Sequence, residues 1–176
     1  MRSLWLNLKS LISCRQTNMK KKIIVLIVLL FVAFILLSTQ EKPQKEASFK
    51  QSVSNIEESS AVLNLSGNEI SVEIVDTEEL RTKGLGGREI LEDNTGMFFV
   101  FNYSDKYGIW MKDMKFAIDI LWIDEEGIIV GIKENISPET YPEVFYPSVK
   151  ARYVLEVNAG FVKEKGVGVG ETVNIN

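Results

Sequence analysis

The 176-residue chain contains no histidine and a single cysteine. The first absence removes the commonest general base and the commonest zinc ligand, and with them a Ser-His-Asp triad, a Cys-His pair and any His-bearing zinc site. The lone cysteine excludes an intramolecular disulfide and a CxxC knuckle. Prolines number four, and three of them fall between positions 134 and 148. What the chain has in quantity is apolar side chains, 45% of the total, which is enough for a packed core.

Charge is unevenly spread. Residues 1–22 carry Arg2, Lys9, Arg15, Lys20, Lys21 and Lys22 and no acid, a net +6. The rest of the chain holds 14 Lys and Arg against all 24 Asp and Glu, a net −10. A body of that sign is a poor partner for nucleic acid, because phosphate contacts need clustered cations.

After the basic end, Ile23–Leu37 is an unbroken apolar run of 15 residues, 14 of them Ile, Leu, Val or Phe. At about −0.3 to −0.6 kcal/mol each, they favour bilayer insertion by roughly 4 to 8 kcal/mol. As a helix the run spans about 22 Å, and Ser38, Thr39 and Gln40 extend it without a full charge. The flanking charge predicts a cytoplasmic N-terminus and an external remainder. The same features fit a secretory signal starting at Met19, but Leu36 and Leu37 stand where small residues precede a cleavage site. The expected state is a single-pass anchor over 23–38. The alternative is a secreted chain after cleavage, with Met1 and Met19 both open as the start.

Residues 39–60 are polar and rich in Ser, Gln, Lys and Glu, a composition suited to a tether. Residues 61–176 read as one external domain. Ala61–Leu65 and Glu69–Val75 alternate as a hairpin around Ser66-Gly67-Asn68. Asp76 or Thr77 caps a short helix that stops at Gly84. Strands are expected at Gly96–Phe101, Tyr107–Lys112, Ala117–Ile123, Ile128–Lys133, Ala151–Asn158 and Thr172–Ile175. Residues 134–148 read as a long loop and Gly160–Lys165 as a helical turn. The predicted fold is mostly β (α+β), a compact barrel-like or sandwich domain with one or two short helices behind a single N-terminal transmembrane helix.

Four segments carry candidate chemistry. Arg81-Thr-Lys-Gly-Leu-Gly-Gly-Arg88 has glycine freedom and flanking cations but lacks the GK[ST] ending of a P-loop, and a tight turn after a helix explains the glycines. In Tyr107–Met114, Trp110 and Lys112 share a strand face, an aromatic plate beside an ammonium. Asp119 shares its face with Leu121 and Ile123, so it is expected to be buried and to need an arginine or backbone N–H partners. Arg152, Glu156 and Asn158 share a face of the Ala151–Asn158 strand, where cross-strand pairing and pocket lining are both open. Asp124-Glu-Glu-Gly127 lacks the spaced ligands of a calcium loop and reads as a hairpin turn. No cofactor and no metal is expected.

Together these blocks resemble the bacterial and archaeal family called domain of unknown function 192, over residues 62–175. The resemblance rests on Arg81-x-x-Gly84-Leu85 with Arg88, Gly96–Phe101, Trp110-Met111-Lys112, Asp119-Ile120, Asp124-x-x-Gly127, Tyr146-Pro147-Ser148, Ala151–Gly160, and Gly166-Val167-x-Val169-Gly170. It implies a compact, mostly β domain behind a signal or anchor and carries no established reaction. Three positions depart from the family pattern. Gly86 stands in place of Met, Asp113-Met114 in place of Asn-Thr, and Phe116-Ala117 in place of Ile-Pro.

The functional expectation is a membrane-tethered external module, an envelope accessory or a binder of a small carbohydrate or anionic ligand. Its site would draw on Arg81, Arg88, Trp110, Lys112, Asp119, Arg152, Glu156 and Asn158. The alternative is a hydrolase using Asp119 and Glu156 as acid and base, with catalytic residues otherwise unknown.

Overall fold

The computed structural model describes residues 60–175. The basic segment, the apolar run and the tether to residue 59 lie outside these residues. Among the described residues no helix is long and apolar enough to cross a membrane.

Strand β1 (Ser60–Leu65) begins one residue inside the expected tether and turns into β2 (Asn68–Val75) through Ser66 and Gly67. Their φ angles of 53° and 82° are the left-handed pair that a two-residue hairpin requires. Helix α1 (Glu78–Lys83) follows, capped by Thr77 rather than Asp76: the Thr77 hydroxyl accepts from the Leu80 N–H at 3.2 Å. It stops at Gly84, whose φ of 50° and ψ of −139° suit only glycine. Strand β3 (Thr95–Asp105) runs parallel to β2, so α1 is the crossover between them. The other elements are β4 (Ile109–Trp110), β5 (Ile118–Ile123), β6 (Ile129–Ile136), a 3₁₀ turn (Pro138–Thr140), β7 (Val144–Phe145), β8 (Ala151–Asn158), α2 (Phe161–Lys165) and β9 (Val173–Ile175).

Seven strands form one sheet in the order β6-β5-β8-β3-β2-β1-β9. The sheet curls into a half-barrel, and its two ends approach at one point. There Ile128 bridges Thr172, the Ile129 N–H donates to Glu171 O at 2.9 Å, and the Val173 N–H donates to Gly127 O at 2.8 Å. The Asp124 carboxylate shapes the adjoining turn by accepting from the Glu126 and Ile128 N–H groups, as the hairpin reading expects.

Side-chain alternation divides the apolar residues into two clusters. Inside the curl lie Leu63, Ile70, Val72, Phe98, Leu121, Ile123, Tyr153 and Leu155, with Phe98 stacked on Tyr153 at 5.4 Å. Outside lie Met97, Phe99, Ile120, Trp122 and Val154, covered by Leu85, Ile109 and Met111. The second cluster exists because the α1 crossover and the 106–116 segment both fold over the outer face of β3, β8 and β5.

Two expectations need correction. The strand foreseen over Tyr107–Lys112 is only Ile109–Trp110, and its partner β7 lies within the stretch read as a loop. Pro142 and Pro147 flank β7 and have no N–H to donate, which keeps this ladder short. β3 extends four residues beyond the expected Phe101, through a register shift against β8 between Val100 and Asp105.

Candidate functional site

The cover over the outer face encloses a cavity of about 60 Å³ whose lining includes Arg81, Thr82, Lys83, Gly84, Trp110, Lys112 and Glu156. Four of the eight residues singled out from sequence therefore meet: Arg81, Trp110, Lys112 and Glu156. Beside it runs a groove of about 520 Å³ that shares Arg81, Thr82, Phe99, Gly108, Ile109 and Trp110, and adds Phe101, Tyr103 and Tyr107. Gly108 is required at this junction, since a Cβ there would sit 2.5 Å from a Val144 methyl and 2.6 Å from the Tyr146 ring.

Each wall has a local cause. The Arg81 guanidinium is fixed by donating through Nη1 to Val100 O at 2.8 Å and to Asp76 O, and it lies 5.0 Å from the centre of the Phe101 ring. Phe101 stacks on Tyr107 at 3.5 Å, and the Tyr107 hydroxyl donates to Tyr103 O at 2.6 Å. Burial, then the neighbouring Tyr103 and Asp105, push the Tyr107 phenol up, so that hydroxyl stays protonated. Trp110 is 46% exposed although Ile109 and Met111 on either side of it are buried.

Glu156 is the least usual member. Its side chain is only 5% exposed, and no described residue hydrogen-bonds to its carboxyl. Burial pushes its pKa up to about 8, against a smaller opposing effect from the Arg88 charge. At neutral pH this carboxyl is protonated and can donate a hydrogen bond.

The other four candidates stand elsewhere. Arg88 pairs with Glu73 at 2.6 Å and reaches Glu156 only through its field. Asn158 donates to Leu91 O at 2.8 Å and so holds the loop after α1 against β8. Arg152 faces Glu125 at 3.7 Å, with its Nε buried and unbonded. Asp119 is fully buried, as expected, but its partners are backbone: it accepts from the Asn135 N–H at 2.7 Å and the Val162 N–H at 2.9 Å.

The acid–base pairing of Asp119 with Glu156 is not assembled. β5 and β8 pair Ile120 with Glu156 and Asp119 with Val157, so the two carboxyls are one residue out of phase and face opposite sides of the sheet. Among the described residues no three acidic or cysteine side chains gather to hold a metal ion.

A family model described as Uncharacterized ACR, domain of unknown function 192, matches residues 61–175. The chain belongs to this family. Among solved structures, a protein from Sinorhizobium meliloti 1021, described as a candidate transcription regulator, is 30% identical, with a TM-score of 0.63 over 66% of this chain and 93% of that one. A protein of unknown function from Novosphingobium aromaticivorans is 27% identical, with a TM-score of 0.60 over 65% and 82% of the two chains. No curated protein matches.

Two departures from the pattern of domain of unknown function 192 lie at this site. Asp113 stands where Asn is usual and has φ of 59°, a left-handed conformation both residues tolerate, and its carbonyl accepts from the Gly87 N–H at 2.8 Å. At Gly86 a Cβ would lie 3.0 Å from Lys83 O and 3.2 Å from Lys112 O, so the missing side chain lets α1 and the Lys112 segment close together. Sequence reasoning missed Phe101, Tyr103 and Tyr107 as groove residues. Their signal was the alternation Phe99, Phe101, Tyr103 continuing along β3.

Proposed function

We propose that residues 61–175 form a carbohydrate-binding module held outside the membrane by the Ile23–Leu37 anchor. The meeting of Arg81, Trp110, Lys112 and Glu156 at one cavity carries this reading. A half-exposed indole beside a groove edged by Phe101, Tyr103 and Tyr107 offers flat apolar surface to the C–H face of a sugar ring. The narrow cavity beside it holds donors and a protonated carboxyl suited to a ring substituent. Sites of this make-up, largely apolar with a few convergent polar groups, are the usual form for small ligands. The tether rests on the +6 basic end and the 15-residue apolar run. The relative's description as a transcription regulator finds no support in a net −10 body, which repels a phosphate backbone.

The full chain, labelled with 5-fluorotryptophan and held in detergent, gives one ¹⁹F signal for each of its three tryptophans. Titration with a panel of monosaccharides is expected to move the Trp110 signal and leave that of buried Trp122 in place. Lys112→Ala, a change at an exposed side chain, is expected to keep the fold and weaken the response at least threefold. A Trp110 signal unmoved by every sugar at tens of millimolar would overturn the reading.

A further inference from the structure

We infer that the group seated against Glu156 is an anion, the carboxylate of an acidic sugar, and that Glu156 meets it as a hydrogen-bond donor. This inference rests on the carbohydrate-binding reading and names the ligand class for that same site.

Size comes first. A cavity of about 60 Å³ takes a functional group, whereas the 520 Å³ groove beside it has room for a ring. The substituent in the cavity therefore meets Glu156, and the ring lies on Trp110.

Charge decides what the substituent is. The cavity receives Arg81 and Lys83 from α1 and Lys112 from the segment after β4, with Arg88 near enough for its charge to be felt. Glu156 is the only carboxyl in its lining. The residues paired with Glu156 across the sheet, Met97 on β3 and Ile120 on β5, bring no charge. Glu78 lies farther out in the groove, and Glu79 and Asp113 line the open surface on the far side of Lys83 and Lys112. With Glu156 neutral at pH 7, three cations face the space without an anion inside it. A cationic substituent would meet like charge on every side. A neutral hydroxyl would use the donor and leave the cations unmatched. A carboxylate satisfies both, taking a hydrogen bond from Glu156 and the field of Arg81, Lys83 and Lys112. Above the Glu156 pKa of about 8, binding then requires uptake of one proton.

The fluorotryptophan-labelled full chain tests this with three matched pairs: glucuronate and glucose, galacturonate and galactose, mannuronate and mannose. At pH 7 at least one uronate is expected to move the Trp110 signal with an affinity ten or more times that of its hexose. At pH 9 that affinity is expected to fall about tenfold, because about a tenth of Glu156 remains protonated. Glu156→Gln keeps a donor that does not titrate, and should bind the uronate equally at both pH values. Hexoses binding as tightly as their uronates would refute the anion while leaving the carbohydrate module standing. An unchanged pH dependence in Glu156→Gln would refute the role of Glu156. No response to any of the six sugars would overturn the inference and the proposed function together.

Discussion

Asp119 and Glu156 are the two buried carboxyls of the described domain, one strand apart on β5 and β8, and the sheet treats them in opposite ways. Asp119 points into the curl and takes two backbone N–H groups that no strand ladder serves. Glu156 points to the outer cavity, where no described residue bonds it. A buried charge held by well-placed donors organises the chain around it, whereas an unpartnered one carries a standing desolvation cost that packing alone does not explain. The contrast assigns Asp119 to the scaffold and Glu156 to the site.

The largest expected effect lies on the scaffold side. Asp119→Ala leaves the Asn135 and Val162 N–H groups buried without acceptors, and should destabilise the domain by about 3–5 kcal/mol. That is a large share of the roughly 5–15 kcal/mol that holds a domain of this size together. Thermal unfolding of the full chain in detergent measures it, with a fall in Tm of more than 10 °C expected. A variant that melts within 2 °C of the parent would erase the contrast between the two carboxyls.

The next effect comes from Glu156. Its pKa rises from an ordinary 4.5 to about 8 in the folded domain. Between those values the folded state holds a proton that the unfolded state has released. Stability therefore falls as pH rises from about 4.5 to about 8 and levels off above. Glu156→Gln lacks this proton and should lose on the order of 3 kcal/mol less than the parent between pH 5 and pH 8. Urea midpoints of both chains across that range decide it. Parallel profiles would mean that Glu156 is ionised in the fold and has a partner after all.

Part of this contrast was legible in the sequence. Ile118, Ile120 and Trp122 alternate with Asp119, Leu121 and Ile123, and that alternation by itself puts Asp119 among apolar side chains. The strand Ala151–Asn158 was readable to its ends for the same reason. The pairing of Ile120 with Glu156 was not, because register between strands far apart in the chain depends on the whole sheet closing. The donors to Asp119 were hidden too. They lie 16 and 43 residues away, and a backbone N–H leaves no mark on side-chain identity. β4 and β7 escaped notice because a two-residue ladder is too short to show a period. The cavity at Glu156 depends on that ladder, since Gly108 and Trp110 reach it only when the 106–116 segment folds over the outer face.

The smallest effect tests how Glu156 is tuned. Arg88 pairs with Glu73 at the surface, with the two side chains 38% and 44% exposed, so Arg88→Ala should cost less than about 1 kcal/mol of stability. Its charge nevertheless opposes the rise of the Glu156 pKa. Removing it takes away that opposition and leaves Glu73 as an unpaired negative neighbour, and both changes push the Glu156 pKa up from about 8. Titration of the Glu156 carboxyl by ¹³C NMR in parent and variant gives the direction. Salt sharpens the test. Raising ionic strength to 1 M shortens the screening length to about 3 Å, which weakens the field of a half-exposed guanidinium and leaves burial untouched. The gap between parent and Arg88→Ala should therefore shrink in salt while both values stay far above 4.5. A gap that persists in 1 M salt would mean that Arg88 acts on Glu156 by packing instead of by charge.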